Sequence, residues 1–324
     1  MAEYYKPPFT INEEITNLVI EIGELVGKIS VSENLKVNPK LRRKNRIRTI
    51  HSSLAIEQNT LSISQVTDVI NGKRVLAPPQ DILEVKNAYE AYEMLKELNP
   101  YSVEDLLKAH KMMTAGLIPE SGIFKPENNG VYAGDILIHP GSPAKYTPEL
   151  MGELFEWLKE TKLHPLIKAS IFHYEFEFIH PFSDGNGRMG RLWHTLILRE
   201  WKDFFAWLPV ETIIYDNQDA YYAALNYSNN VGDSAAFVEF MLTAILKALQ
   251  ELSEVSRDKK AEVLDIIRKN PAVTAKAIAE EVNLSQRQVE RILADMKSTG
   301  LILRDGARKN GLWKIYGVED KIGN

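Results

Sequence analysis

Apolar residues recur at helical spacing through most of the chain. Ile11, Ile15, Leu18, Ile22, Leu25, Val26 and Ile29 fall together on one face of a helix over 11–29. The stretch 39–55 predicts a second helix, basic on one side through Arg42, Arg43, Lys44, Arg46 and Arg48. Gly72 and Pro78-Pro79 punctuate the chain before a helix over 82–98. Asn99-Pro100 closes that helix, and Ser102 with Asp105 caps the next. Further helices are expected over 148–162, over 165–178, from a glycine-rich run to Trp201, over 216–229 and over 234–252. Residues 121–148 break this pattern. They are rich in Gly, Pro and Asn, and Val131-Tyr132 and Ile136-Leu137-Ile138 flank Ala133-Gly134-Asp135 as a short hairpin. Long ordered loops in compact domains are often functional, so 130–146 reads as a flap beside a site.

The composition shifts near Ser253. Between Lys259 and Val318 twelve Lys and Arg stand against seven Asp and Glu, a surplus of five in a chain whose net charge is −5. Helices over 259–269, 274–282 and 285–299 precede strands at Leu301-Ile302-Leu303 and Leu312-Trp313-Lys314-Ile315-Tyr316. That order resembles a winged helix-turn-helix with Ser285 as a helix cap. Arg287, Gln288 and Arg291 sit where a reading helix places its side chains, and the tip 304–310 could touch phosphate. DNA is one partner such a module takes; a protein surface or a second copy of the chain is the other.

A length of 324 residues suggests two or three domains, and 44% apolar with 26% charged residues is ordinary for a soluble chain. Absence of cysteine excludes disulfides and thiolate chemistry and fits a reducing, cytoplasmic setting. The first residues lack the apolar core of a signal peptide, and no run approaches the ~18 apolar residues of a membrane span. No membrane partner is expected.

The chemistry concentrates in His180-Pro181-Phe182-Ser183-Asp184-Gly185-Asn186-Gly187-Arg188-Met189-Gly190-Arg191. Glycines at 185, 187 and 190 let backbone N–H groups approach a ligand where a helix begins, and helix N-termini attract phosphate. Arg188 and Arg191 suit a chain of phosphates. Asp184 is a hard oxygen ligand for Mg2+. His180 could take a proton from an incoming hydroxyl. Together these point to nucleotidyl or phosphoryl transfer to a hydroxyl.

The run resembles the Fic motif, His-Pro-Phe-x-Asp-Gly-Asn-Gly-Arg-x-x-Arg, at every specified position. The resemblance implies a mainly α fold: a Fic-type helical core with a β-hairpin flap, an N-terminal helical extension and a C-terminal winged-helix domain. It places an N-terminal helical region over 1–100, a catalytic core over 101–252 and the winged helix over 253–324. It implies an AMP transferase that uses ATP and Mg2+ on Tyr, Thr or Ser hydroxyls of a protein. His180 would be the base and Asp184 the Mg2+ ligand. Gly185, Asn186, Gly187, Arg188, Met189, Gly190 and Arg191 would line ATP. Members that phosphorylate targets instead carry Lys where Gly187 stands. Tyr222 and Asn229 resemble the family's adenine pocket, whereas packing explains Tyr221 equally well. His139, His164, His173 and His194 lack metal-ligand spacing and read as structural or flap residues.

Ser53 and Glu57 fit the family's inhibitory pattern (Ser/Thr)-x-x-x-Glu-(Gly/Asn), with Gln58 in place of the usual Gly and Asn59 following. The resemblance implies that Glu57 pairs with Arg191 and keeps ATP poorly aligned. The flap would align an extended target segment. Self-modification and a homodimer stay open. Two rivals also remain: a DNA-binding regulator with a nucleotide-sensing core, and removal of AMP or transfer of another nucleotide or phosphate-linked group.

Overall fold

The structure is a computed structural model that describes residues 5–31, 39–133, 136–282, 284–306 and 311–316, with the backbone alone for 30–31, 131–139 and 255–258. It is mainly α, as the pattern predicts. Two compact units form, Met1–Ile22 with Arg43–Ala248 and Gly23–Arg42 with Leu249–Asn324.

In the larger unit the helices are α1 (Glu13–Val31), α2 (Pro39–Ile56), α3 (Ile63–Ile70), α4 (Pro79–Glu93) and α5 (Val103–Met113), the first two contributing part of their length. Strands β1 (Val131–Ala133) and β2 (Ile136–His139) follow, then α6 (Thr147–Glu160), α7 (Pro165–Ile179), α8 (Asn186–Trp201), α9 (Val210–Asp216) and α10 (Gln218–Val231). The centre of the unit is α7 against α8. Leu166, Ile171, Phe172 and Phe176 of α7 and Leu192, Trp193, Leu196 and Ile197 of α8 are buried. α7 is apolar nearly all round, which marks a helix enclosed by others rather than one with a wet face. Each such side chain contributes about 1.5–3 kcal/mol by leaving water. α8 therefore begins on a rigid support.

Local signals account for the element ends. Ser62 and Gln65 close a capping box on α3, Ser102 accepts from the Asp105 N–H at 3.0 Å, and His164 caps α7 ahead of Pro165. β1 and β2 pair antiparallel with a bulge between Val131 and Tyr132. The hairpin's turn, Gly134-Asp135, lies outside the described residues.

α11 (Ala235–Lys269) corrects one expectation. Two helices, 234–252 and 259–269, are one helix of 35 residues. The intervening Ser253-Glu254-Val255-Ser256-Arg257-Asp258 is polar but contains neither Gly nor Pro, so nothing stops the helix. α3 and α9 are elements that the periodicity left unread because each is too short to show a repeating stripe.

In the smaller unit, α12 (Ala275–Glu281), α13 (Gln286–Ser298), β3 (Ile302–Asp305) and β4 (Leu312–Ile315) form a winged helix. Ile278, Val289, Ile292, Met296, Ile302 and Trp313 share its core. The tip at 307–310 lies outside the described residues.

Candidate active site

α7 ends on His180, which adopts a left-handed conformation (φ 53°) and donates its N–H to Phe176 O at 2.9 Å. A non-glycine residue there is uncommon and persists only where its surroundings hold it. Those surroundings are main-chain clamps from distant segments. Ser142 Oγ donates to Ile179 O at 2.8 Å, the Lys125 N–H to Pro181 O at 2.9 Å and Asn129 Nδ2 to Phe182 O at 2.8 Å. Gly141 turns with φ +60°, and a Cβ there would stand 3.2 Å from His180 Cβ. Burial pushes the Lys125 ammonium down to about 8.

His110 adds a support held from both ring nitrogens. Its Nδ1 accepts the Gly122 N–H at 3.0 Å, so Nε2 carries the proton and donates to Asp184 O at 3.0 Å. Its ring stacks on Phe182 at 3.7 Å and 4°. Burial, with help from Arg188, pushes His110 down to about 4. The folded state thus keeps the ring neutral while the unfolded chain protonates below about pH 6.5. The stability this neutral ring supplies is present above pH 6.5 and is lost as the pH falls from 6.5 towards 4, about 3 kcal/mol in all. His173, pushed down to about 3 by burial and by Arg191, acts in the same sense. Glu175 opposes them: burial raises it to about 7, so its stability is full below pH 4.5 and fades as the pH climbs through 7. We expect the thermal midpoint to fall between pH 7 and 4.5, and His110→Gln to lower the midpoint at pH 7 while shallowing that fall. A fall as steep in His110→Gln as in the parent chain would remove His110 as its source.

Gly185 (φ 83°) then turns the chain into α8. The first N–H groups of a helix have no partner within it, so those of Asn186, Gly187 and Arg188 are placed where they could take an anion. The Asn186 side chain is buried and closed on Phe182, accepting its N–H at 2.9 Å and donating to its O at 2.8 Å. Its amide locks the loop, and what it can offer a ligand is its backbone. Met189 is buried in the core. A Cβ at Gly190 would lie 2.8 Å from both Glu177 Oε1 and His173 Cδ2, so glycine there serves packing.

Asp184 is half exposed; Oδ1 accepts the Gly185 N–H at 2.6 Å and Oδ2 accepts Arg188 Nη2 at 2.8 Å. Mg2+ typically takes one or two carboxylates and leaves its other positions to substrate phosphates and water. One exposed carboxylate beside a phosphate mouth fits that habit. No group of three or more His, Asp or Glu that could cage a metal occurs among the described residues.

Arg191 is buried, its side chain 1% exposed. Nε donates to Ser53 Oγ at 3.0 Å, and Nη2 donates to Ser53 O at 2.9 Å and to Glu57 Oε1 at 2.7 Å. Burial works against its charge, but Glu57 outweighs burial and holds it firmly protonated. Glu57 also overhangs the helix start: a Cβ on Gly187 would collide with its Oε1. Gln58 adopts φ 66°. This is the left-handed region that favours glycine, which explains why the family pattern places Gly there, and Gln accepts it at a cost of about 1 kcal/mol. The turn holds through Asn59, whose N–H reaches Leu54 O at 3.1 Å and whose Nδ2 reaches Glu84 Oε2 at 2.8 Å.

Tyr222 is 40% exposed, and burial together with the nearby Glu57 raises its hydroxyl. Asn229 lies two turns further along α10, accepting Tyr174 Oη at 3.0 Å. Tyr221 is a packing residue, buried with its hydroxyl 3.2 Å from His173 Nε2. Sequence reading missed His110, Lys125, Asn129 and Ser142, whose work is done on main-chain oxygens.

In the smaller unit Gln288 corrects an expectation. It is buried, and its Oε1 accepts the Ser285 N–H at 2.8 Å in a capping box, so it cannot read bases. Arg287 on α13 is exposed. Four of the cations counted above already pair with carboxylates: Lys259 with Glu262, Lys260 with Asp295, Arg268 with Asp265 and Lys314 with Asp305.

Residues 98–198 match the Fic/DOC family model, and residues 257–302 match a winged helix-turn-helix DNA-binding model. A Fic family protein of known crystal structure from Desulfovibrio desulfuricans is 42% identical, over 97% of this chain and 99% of that one, with a TM-score of 0.76. Protein adenylyltransferase fic-1 of Caenorhabditis briggsae is 26% identical over 261 residues, 76% of this chain and 49% of its own length. Its counterpart from Caenorhabditis elegans is 30% identical over 215 residues, 62% of this chain and 40% of its own. The chain thus spans about half the length of the curated relatives it matches, or less. No described helix is long and apolar enough to cross a membrane.

Proposed function

The chain belongs to the Fic family, and from that premise we propose that it transfers AMP from ATP to a Tyr, Thr or Ser hydroxyl of a protein, restrained by Glu57. The observation that carries this reading is a juxtaposition. His180 is held at the end of α7, one short turn before the anion mouth of α8, by clamps on Ile179, Pro181 and Phe182. A base next to a phosphate nest suits attack by a hydroxyl on a nucleotide.

In the proposed reaction the target hydroxyl gives its proton to His180 as its oxygen bonds to the α-phosphorus. The bond from that phosphorus to the bridging oxygen of the β-phosphate breaks, and pyrophosphate leaves. The N–H groups opening α8 stabilise charge on the α-phosphate, and Arg188 and Arg191 neutralise the outer phosphates. Mg2+ bound at Asp184 would supply further charge neutralisation. Tyr222 would flank the adenine ring, and the 130–146 hairpin would align an extended target backbone, which needs no particular target sequence. Fastening of the His180 loop by His110, Lys125 and Asn129 makes the geometry ready before substrate arrives.

The test is label transfer from ATP, UTP, GTP and CDP-choline to the chain itself and to added protein. ATP labelled on its α-phosphate is expected to be the preferred donor. Preference for another donor, or release of AMP from modified protein without its addition, would replace the reading.

A further inference from the structure

A second cationic site lies away from the motif. Within the larger unit a cleft of about 260 Å³ is lined by Arg46, Tyr92, Glu93, Lys96, Arg199 and Trp207, among others. Arg46 comes from α2 and Arg199 from α8. Arg46 is the unusual member. It is 7% exposed, and its Nε and Nη1 are buried without a hydrogen-bond acceptor. Its neighbouring carboxylate, Glu93 Oε1, stands 3.5 Å from Nε on a side chain that is 55% exposed. Its guanidinium carbon lies 5.1 Å from the Tyr92 ring centroid. Buried guanidinium groups normally have their N–H groups satisfied by anions or carbonyls, because an unmade bond to a charged donor is costly.

We propose that this cleft binds a small oxyanion of the phosphate class on Arg46. Three cations, Arg46, Lys96 and Arg199, face two carboxylates, Glu93 and Asp203, so the lining itself keeps a positive surplus, while Glu211 outside the lining also acts on Arg46 through space. The exposed Glu93 is weakly committed, since a solvent-facing ion pair contributes little and is easily displaced. Arg199 is only partly engaged, through Nη1 to Leu95 O at 2.5 Å. Trp207 is fixed at the edge by Asn45 Nδ2, which donates to its carbonyl at 3.0 Å. The volume lies below that of drug-sized pockets, which suits an inorganic anion or one small phosphorylated compound. Burial lowers the Arg46 guanidinium, and a bound anion would relieve that penalty. The inference stands apart from the transfer chemistry. It has a structural consequence all the same, because an anion between Arg46 and Arg199 would bridge the two helices that also meet through Ser53 and Arg191.

The test is equilibrium dialysis of the full chain against radiolabelled inorganic phosphate. One site per chain is expected, weakened at least tenfold in Arg46→Met and at least threefold in Lys96→Glu. Lys96 is exposed, so Lys96→Glu will fold even where Arg46→Met does not. Phosphate held at the motif would be indifferent to both changes. Binding that is unaltered in Lys96→Glu and in any folded Arg46→Met, or no binding by the parent chain at millimolar phosphate, would overturn the proposal.

Discussion

Replacing His180 with alanine is expected to cut AMP incorporation by roughly 10²- to 10⁴-fold, the range a positioned general base contributes. The effect should fall on the rate at saturating ATP and leave nucleotide affinity nearly unchanged. The reason is that the anion mouth is made by backbone N–H groups at the start of α8, which the imidazole does not build. The fold should survive too. The α7 cap is made by the His180 N–H to Phe176 O and by clamps to neighbouring carbonyls, which the alanine substitution keeps. Alanine does carry a strain at φ 53°, so His180→Asn is the companion variant, since Asn tolerates the left-handed region better. Both are read by label from α-phosphate-labelled ATP and by thermal shift with and without nucleotide. Activity within threefold of the parent in both variants would sink the base role. A parent chain that binds ATP but labels nothing, even when freed of Glu57, would favour the nucleotide-sensing rival.

The motif was legible in the sequence because its parts are contiguous. Base, carboxylate, glycines and arginines lie within one loop and one helix turn, so spacing alone brings them together. The contact of Ser53 and Glu57 with Arg191 was legible only through resemblance, since they sit far from Arg191 in the chain and look like the end of an ordinary basic helix. The supports of the site were illegible for a physical reason. His110, Lys125, Asn129 and Ser142 bind main-chain oxygens of 179–184, and a carbonyl carries no signature in the sequence. The place of Asn186 in the run points to a ligand contact, yet its amide closes on Phe182. Type and spacing cannot separate those two uses of an amide. The buried polar face of α2 was hidden in the same way. Arg46, Thr49 and Ser53 resemble solvent-facing positions until the fold places them inside.

Exchange of Glu57 for glycine is expected to raise AMP incorporation by roughly ten- to a hundredfold, which corresponds to about 1.4–2.8 kcal/mol of lost restraint. The geometry sets the sign. Glu57 Oε1 takes Arg191 at 2.7 Å and overhangs Gly187, so in the proposed reaction it occupies both the cation meant for the outer phosphates and the space meant for the α-phosphate. Removing it releases both together. The same change should weaken the nucleotide-free protein. Arg191 would stay buried, satisfied by Ser53 Oγ and Ser53 O but without the carboxylate that bonds it directly, Glu177 acting on it only through space. Breaking a buried pair from one side costs about 3–5 kcal/mol, and the Ser53 contacts and the one-third exposure of Glu57 place this case below that range. The thermal midpoint should therefore drop by several degrees without nucleotide. ATP brings its own anion to Arg191, so Mg2+ and ATP should restore more of the midpoint in Glu57→Gly than they add to the parent. Glu57→Gln separates charge from shape: it keeps the overhang, loses the ion pair and should lie between the two. Labelling no greater than that of the parent at saturating ATP would remove Glu57 as the restraint, whatever the midpoints do. Gain of labelling without the nucleotide-dependent recovery would mean that Glu57 blocks by bulk rather than by holding Arg191.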